Sequence, residues 1–396
     1  MKLTIQSMPI VGLMVAEFLS LLGNQIAAVA IPILVLQFTH SPWVTGIAST
    51  ASIIPIILAA VVGGRFIDRL GAWRMSVVAD LLSFVSTLAL PFVFTTFDRV
   101  SPALIFLLVL LGALFDPTGV AARQTLVVNV AAISERSLER VNAWRGTLEN
   151  AADFIGPILG VGVISLTGIV PAFLVNAVTF LGCAAIFAIA VPHIRTTSQK
   201  HPEVSPWPGI AFIFGHPQLK SLAIVGIVTN AALLPFLSLL LPVLATQKLN
   251  NIPLLGIALS VFGLTATLSA MAFSWLSRRC SYSVIYYGGW LLTGSSILLC
   301  AFATHPYQVV LLTALAGLLL GVGNPLEQTV LQIETPAAIA GQVFTAMSAI
   351  HFAAGPVGLL LMGMLTELLS IETALLLTGS LLVTVALLSW YRSPLS

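Results

Sequence analysis

The sequence predicts an all-α integral membrane protein with twelve transmembrane helices arranged as two six-helix bundles. Of the 396 residues, 58% are hydrophobic and only 8% are charged, whereas about a quarter of the residues in a soluble domain are charged. A helix needs about 20 apolar residues to cross the ~30 Å hydrocarbon layer of a membrane. Charged or turn-rich breaks divide the chain into twelve segments of about this length, so little sequence is left for a soluble domain.

The twelve apolar segments alternate with short polar connections. They span residues 9–38, 43–66, 75–96, 102–131, 141–166, 170–191, 218–246, 253–276, 283–303, 307–332, 339–366 and 373–391. The first segment is too long to be the apolar core of a cleavable signal peptide, so we interpret it as a membrane span.

One polar stretch, His193 to His216, is rich in Pro and Ser and divides the spans six and six. It predicts an N-terminal six-helix bundle over residues 1–192, a cytoplasmic linker over 193–217 and a C-terminal six-helix bundle over 218–396. A shift of 210 positions aligns Pro32 with Pro242, and a shift of 208 aligns Asp116-Pro117 with Asn324-Pro325. These matches favour an internal duplication, with the two bundles related by pseudo-two-fold symmetry.

Basic residues predict the orientation of the chain. With the N-terminus inside, the inside loops and ends hold twelve Lys and Arg, and the outside loops hold only Arg99 and Lys248. Positive residues favour the cytoplasmic side, so both termini are expected in the cytoplasm. No Asn-x-Ser/Thr sequon occurs, which together with the short loops favours a bacterial inner membrane.

Several classes of function are disfavoured by composition and spacing. The net charge of +2 is too small and too dispersed for nucleic-acid binding. The three cysteines and six histidines lack the spacing of a disulfide framework or a metal site, so no metal and no cofactor is expected. No nucleophile–base pattern or phosphate loop points to an enzyme.

Ionisable residues inside the apolar spans are the main functional signal. Each costs roughly 2.5–3.5 kcal/mol at the membrane centre, so such residues are functional candidates. Arg145, Glu149 and Asp153 recur every fourth residue and therefore share one face of the fifth span. The candidates for proton coupling are Glu17, Asp116, Glu149, Asp153 and Glu327.

The rise of about 1.5 Å per residue gives each group an expected depth. Glu17, Arg123 and Glu149 come out about 12 Å from the cytoplasmic surface, and Asn24, Asp116 and Asp153 about 18–22 Å. We expect Arg123 to pair with Glu149, the acid nearest in depth. This pairing leaves Asp116 and Asp153 without a cation, and desolvation disfavours a charged carboxyl, so both are expected to exchange protons. The alternative is a static network that only holds the bundle together.

Polar residues are fewer in the second half. Together with Asn24, the substrate-cavity candidates are Asn230, Asn324 and Gln328. His351 has two open interpretations, a proton carrier or a buried histidine bonded to a neighbouring helix.

The loop after the second span, residues 63–74, reads GGRFIDRLGAWR. It is similar to the G-x-x-x-D-R-x-G-R-[KR] loop of major facilitator superfamily transporters, with matches at Gly64, Asp68, Arg69 and Gly71 and departures at Ala72 and Trp73. Three further stretches resemble the drug:proton antiporter branch, which includes macrolide efflux proteins and enterobactin-type siderophore exporters. They are residues 19–24 with 39–42, 115–117 with 123–124, and 142–150 running into Gly156-Pro157.

This resemblance implies a fold, a latch and a function. The implied fold is the major facilitator fold, and the implied latch is Asp68 meeting the cytoplasmic start of span 11, where Thr335-Pro336 has the pattern of a helix N-terminus. The alternative for Asp68 is an ordinary solvated loop acid.

The implied function is proton-coupled export of a small amphipathic drug or siderophore by alternating access, with the protein acting in the bilayer as a monomer. Two other hypotheses remain, a solute importer on the same fold and a transport-inactive membrane sensor or scaffold.

Overall fold

A computed structural model describes residues 7–59, 63–97, 100–193, 207–336 and 339–392, and within these ranges the chain is helical with no strand. Eleven described helices are long and apolar enough to cross a membrane, and Pro42–Ile56 is a shorter apolar helix. Counting that shorter helix gives the twelve predicted spans. The all-α membrane fold is therefore confirmed.

The described residues of the first half form eight helices. They are α1 (Met8–Thr39), α2 (Pro42–Leu58), α3 (Gly64–Leu70), α4 (Ala72–Thr96), α5 (Pro102–Ala113), α6 (Asp116–Ile133), α7 (Leu138–Thr167) and α8 (Ile169–Ala190). The fourth predicted span is broken between α5 and α6, next to Asp116-Pro117, because Pro has no N–H to donate to the preceding turn. This break places Asp116 at the start of α6.

Nine helices are described in the second half. They are α9 (Trp207–Gly215), α10 (Pro217–Pro235), α11 (Leu241–Val243), α12 (Ile252–Leu276), α13 (Tyr282–Cys300), α14 (Pro306–Leu320), α15 (Gly323–Glu334), α16 (Ala340–Leu368) and α17 (Ile371–Arg392). Two π-helical segments follow α10 and α11, and together they form one span, Pro217–Lys248. The break between α14 and α15 lies next to Asn324-Pro325, as the break in the first half lies next to Asp116-Pro117.

The chain forms two compact units. Unit 1 takes in Met1–His40 and Ile47–Gln199, and unit 2 takes in Ser41–Gly46 and Lys200–Ser396. The division between Gln199 and Lys200 lies inside the polar stretch predicted as a linker. Residues 194–206 of that stretch lie outside the described part of the chain, and its end forms helix α9, which packs on α10 and α16.

The start of span 11 is described in part. Helix α15 ends at Glu334, Ile339 N donates to Pro336 O at 3.1 Å, and α16 is described from Ala340, so the interpretation of Thr335-Pro336 as the start of this span stays a prediction. Residues 337 and 338 lie outside the described part.

The core of unit 1 is built from α1, α4, α6 and α8. Fully buried side chains such as Leu13, Ala79, Leu126 and Phe187 pack together there. Large apolar side chains such as Phe92 and Ile189 are instead exposed, as expected for helices that face lipid. The buried charges of unit 1 lie within and beside this core.

Candidate functional site

A buried ion pair joins two helices of unit 1. Arg123 on α6 and Asp80 on α4 are both 0% exposed, and Nη1 of Arg123 donates to both carboxylate oxygens of Asp80 at 2.9 Å. The predicted pairing of Arg123 with Glu149 was wrong. The physical reason is packing, because α6 lies against α4 and makes only slight contact with α7.

Asp116 lies at the edge of the same network. Ser20 Oγ donates to Asp116 Oδ1 at 3.0 Å, and Asn24 Nδ2 donates to Oδ2 at 2.7 Å. Nη2 of Arg123 is 3.8 Å from Oδ1 and also donates to Ser20 Oγ at 3.3 Å. The expectation that Asp116 has no cation nearby was therefore wrong, although Arg123 makes its closer contacts with Asp80.

A second pair connects α7 to α1. Nε of Arg145 donates to Glu17 Oε2 at 2.8 Å, and Nη2 donates to Oε1 at 2.5 Å. This two-point contact uses two of the three guanidinium nitrogens, which is a strong geometry for a carboxylate. Glu149, one turn along α7, is exposed, and no described cation lies within ion-pair distance of it.

Asp153 lies one further turn along α7 and is also exposed. Gln25 Nε2 donates to Asp153 Oδ1, and among the residues that the structure describes no cation pairs with this carboxylate. Two consecutive residues of α1 therefore bond the two acids, since Asn24 holds Asp116 and Gln25 holds Asp153.

Asn24, Gln25 and Asp116 line one cavity of about 360 Å³ inside unit 1. Most of its other walls are apolar and come from α1, α2, α4, α5 and α8, including Ala28, Ile56, Leu108, Ala113 and Phe173. The cavity is therefore amphipathic, with polar groups in an apolar wall, which is the usual character of a small-molecule site.

Asn176 on α8 also lines this cavity. It is 4% exposed, and its Oδ1 has no hydrogen-bond partner among the described residues. A buried polar atom without a partner is costly, and this oxygen lies against α1, where a Cβ added at Gly23 would be 2.5 Å from it. Sequence reasoning missed both Asn176 and Asp80. Each is a polar residue inside an apolar span, which is the signal that identified the other candidates.

The cavity candidates of unit 2 lie on two helices, α10 and α15. Nδ2 of Asn230 on α10 donates to Gly226 O of its own helix at 3.1 Å. Asn324 and Gln328 lie one turn apart on an exposed face of α15. Their assignment to the substrate path stays a prediction.

Glu327 and His351 form a contact between α15 and α16. Nδ1 of His351 lies 3.4 Å from Oε1 of Glu327, and the two side chains are 13% and 15% exposed, respectively. The hydroxyl of Tyr286 on α13 hydrogen bonds to Glu327. When its imidazole is protonated, His351 forms an ion pair with Glu327, so this contact holds two groups that can exchange protons.

His351 reaches a third helix through a glycine. A Cβ added at Gly226 on α10 would lie 1.9 Å from Nε2 of His351. Only glycine leaves space for the imidazole there, which fixes how closely α10 and α16 approach each other.

The predicted latch motif lies on α3 and the turn after it. Gly71 separates α3 from α4 with φ of 81° and ψ of 142°, a conformation that favours glycine. Arg69 is exposed, and the surroundings of Gly64 and the side chain of Asp68 lie outside the described part. The latch stays a prediction. Among the described residues, no group of His, Cys, Asp and Glu is arranged to hold a metal ion.

Comparison with solved structures supports the fold. The nucleoside transporter NupG superimposes with a TM-score of 0.78 at 14% identity, covering 98% of this chain and 99% of that one. A bacterial homologue of the human lysosomal transporter Spinster superimposes with a TM-score of 0.76 at 11% identity, covering 99% and 98% of the two chains.

Sequence comparison gives more similar relatives. The multidrug efflux pump Tap of Mycolicibacterium fortuitum is 30% identical over 370 residues, which are 91% of this chain and 89% of the relative. The enterobactin exporter EntS of Citrobacter koseri is 24% identical over 382 residues, 94% of this chain and 89% of that protein. The family model of the Major Facilitator Superfamily matches residues 13–250 and 236–395 of this chain. This chain is therefore a membrane protein that belongs to the major facilitator superfamily of transporters.

Proposed function

We propose that this transporter exports a small amphipathic compound, a drug or a siderophore, in exchange for protons by alternating access. Two relatives that align with about nine-tenths of the chain are named as a multidrug efflux pump and an enterobactin exporter. The basic residues favour both termini in the cytoplasm, and the bacterial relatives support a bacterial inner membrane. We propose that the transporter acts as a monomer.

The observation that carries this proposal is the amphipathic cavity of unit 1. Apolar side chains form most of its wall, and Asp116, Asn24 and Asn176 supply polar groups. The amide oxygens of Asn24 and Gln25, which line the cavity, can accept a hydrogen bond from a ligand N–H or O–H. A compound with an apolar body and a few hydrogen-bonding groups therefore fits this site better than a sugar or an ion.

Proton exchange is supported by the position of the two acids beside this cavity. Asn24 and Gln25 line the cavity and also donate hydrogen bonds to Asp116 and Asp153. A ligand that hydrogen bonds to the amide of Asn24 or Gln25 competes with the hydrogen bond from that amide to the carboxylate of Asp116 or Asp153. When the carboxylate loses this donor, it can bind a proton instead. Substrate binding and protonation are thereby linked at α1, and each biases the conformation that the other favours.

Arg123 connects Asp116 to the buried ion pair of unit 1. Its guanidinium is shared between Asp80 at 2.9 Å and Asp116 at 3.8 Å. Protonation of Asp116 removes its electrostatic attraction to Arg123, so that Asp80 is then the only charged partner of Arg123 in this network. The charge of Asp116 therefore affects the contacts that hold α1, α4 and α6 together. Glu327 with His351 offers a second exchange site in unit 2.

A cavity-filling variant tests the proposal. Ala113→Phe places a ring in the cavity, and Ala185→Phe, on the exposed face of α8, is the matched control. Both are reconstituted in proteoliposomes with a pH gradient, with ethidium and enterobactin as probes. We expect Ala113→Phe to weaken export of the accepted probe about tenfold, a loss of about 1.4 kcal/mol in binding, and the control to transport normally.

Three results would contradict this account. Equal export by the two variants would mean that the cavity is not the substrate site. Accumulation of a probe in the opposite direction under the same gradient would identify an importer. Specific binding of a probe without any flux, in protein shown to be folded, would favour a sensor or scaffold.

A further inference from the structure

We propose that unit 2 holds the phosphate headgroup of an anionic phospholipid between the first turn of α10 and the last turn of α17. A cavity of about 490 Å³ lies at this place. It is lined by Phe214, Gly215, Pro217, Lys220, Ser221, Ile224, Val385, Leu388, Ser389 and Arg392. None of these residues takes part in the amphipathic cavity of unit 1.

The charged groups of this cavity are both cations. Lys220 lies in the first turn of α10, and Arg392 is the last residue of α17. Neither makes an ion pair among the residues that the structure describes, and no acid lines the cavity. Ser389 adds a hydroxyl that can donate to an anion. Lys and Arg together with a hydroxyl donor suit a phosphate group, and Arg can bind one through two parallel hydrogen bonds.

The apolar residues of the cavity indicate a lipid. Ile224 lies four residues after Lys220 on α10, and Leu388 lies four residues before Arg392 on α17. Residues four apart share one face of a helix, so on both helices an apolar side chain lies one turn deeper than the cation. Both apolar side chains are exposed, Ile224 by 40% and Leu388 by 50%.

This order of groups matches the order in a phospholipid, with the phosphate at the surface and the acyl chains below it. A free phosphate ion would use the cations but would gain nothing from Ile224 and Leu388. Basic pockets between transmembrane helices on the cytoplasmic side are suited to anionic headgroups. A bound lipid would join the first and last spans of unit 2 and would contact α9 through Phe214, which also lines the cavity.

The test measures lipid binding to the full-length purified protein by native mass spectrometry. Phosphatidylglycerol is titrated against wild type, Lys220→Gln, Arg392→Gln and the double variant. The matched control is Arg278→Gln, which removes an exposed cation after α12 outside the cavity. A charge near the membrane surface is worth about 1 kcal/mol, so we expect a loss of about fivefold in each single variant and about thirtyfold in the double variant. The control should bind as wild type does, and Lys220→Arg with Arg392→Lys should retain binding because the charges remain.

Two further arms separate the sources of the anion. Phosphatidylcholine should bind much more weakly than phosphatidylglycerol, and inorganic phosphate should not displace the lipid. Equal binding by the Arg278→Gln control and the double variant would overturn the proposal, as would equal binding of the two lipids. Displacement by inorganic phosphate at concentrations similar to those of the lipid would show a site for free anions instead. If the double variant fails to fold, the two single variants and the charge-retaining pair decide the result.

Discussion

Buried charges in unit 1 depend on partners from other helices. The helical rise per residue predicts how deep Arg123 lies in the membrane but not the direction in which its side chain points. Depth alone therefore favours Glu149, at an equal depth, as its ion-pair partner. The structure gives Asp80 instead, which lies about 12 Å beyond the start of α4 by the same arithmetic. Depth can be predicted from the sequence, whereas the choice between acids of similar depth requires knowing that α6 packs on α4.

The pairing of Arg123 with Asp80 predicts non-additive mutations. Arg123→Leu alone strands a buried carboxylate and should cost about 3–5 kcal/mol in the free energy of unfolding. The double variant with Arg123→Leu and Asp80→Leu removes both charges, so it should recover at least half of the lost free energy of unfolding. Thermal unfolding of the purified variants in detergent measures the difference.

A second double variant is the control for this pair. Arg123→Leu with Glu149→Gln should give additive losses, since Glu149 is exposed and makes no ion pair with Arg123. If Glu149→Gln recovered the stability lost in Arg123→Leu, and the losses of Arg123→Leu and Asp80→Leu were additive, the pairing of Arg123 with Asp80 would be contradicted.

At the scale of elements, apolar length predicts the spans well. The predicted segments 9–38 and 253–276 match α1 and α12 to within a residue at each end. The sequence signals for α3, α9 and the start of α16 are weaker. Such short helices and breaks depend on local packing and on Pro and Gly geometry, and they leave no long apolar run in the sequence.

The approach of α10 to α16 predicts a local clash. Gly226→Ala should destabilise the protein by about 1–3 kcal/mol, because its Cβ would lie 1.9 Å from His351 Nε2. Adding His351→Ala should restore the unfolding temperature by removing the ring. Gly162→Ala on α7 is the control, since nothing lies within 4 Å of its added Cβ. Equal unfolding temperatures for Gly226→Ala and Gly162→Ala would refute this packing.

The turn between α3 and α4 predicts strain in another variant. An alanine at position 71 would have to adopt the positive backbone φ of 81° seen at Gly71, which costs on the order of 1–3 kcal/mol. We expect Gly71→Ala to increase hydrogen exchange of the α3 amides and to slow transport, since the loop motif lies there. Gly146→Ala, with open space around its added Cβ, should leave the exchange of α3 unchanged. Protection of α3 in Gly71→Ala equal to that in the control would argue against a strained turn.

At the scale of the whole molecule, each unit carries its own set of groups that can exchange protons. Unit 1 has Asp116 and Asp153, which are linked to one cavity through neighbouring residues of α1. Unit 2 has the contact between Glu327 and His351. In alternating access, such groups couple transport to protons when their protonation differs between the two conformations. The fold and the membrane location follow from composition and family, whereas the proposed proton coupling depends on these few side chains.

The central claim is that protons are exchanged at Asp116 or Asp153. Proteoliposomes that contain wild type, Asp116→Asn or Asp153→Asn are supplied with ethidium, and substrate-induced proton release and downhill ethidium flux are measured in parallel. Glu135→Gln, in the exposed turn after α6, is the control and should behave as wild type. We predict that at least one of the two aspartate variants loses proton release while keeping downhill flux. Full pH-driven export by both variants, at the level of the control, would contradict the account.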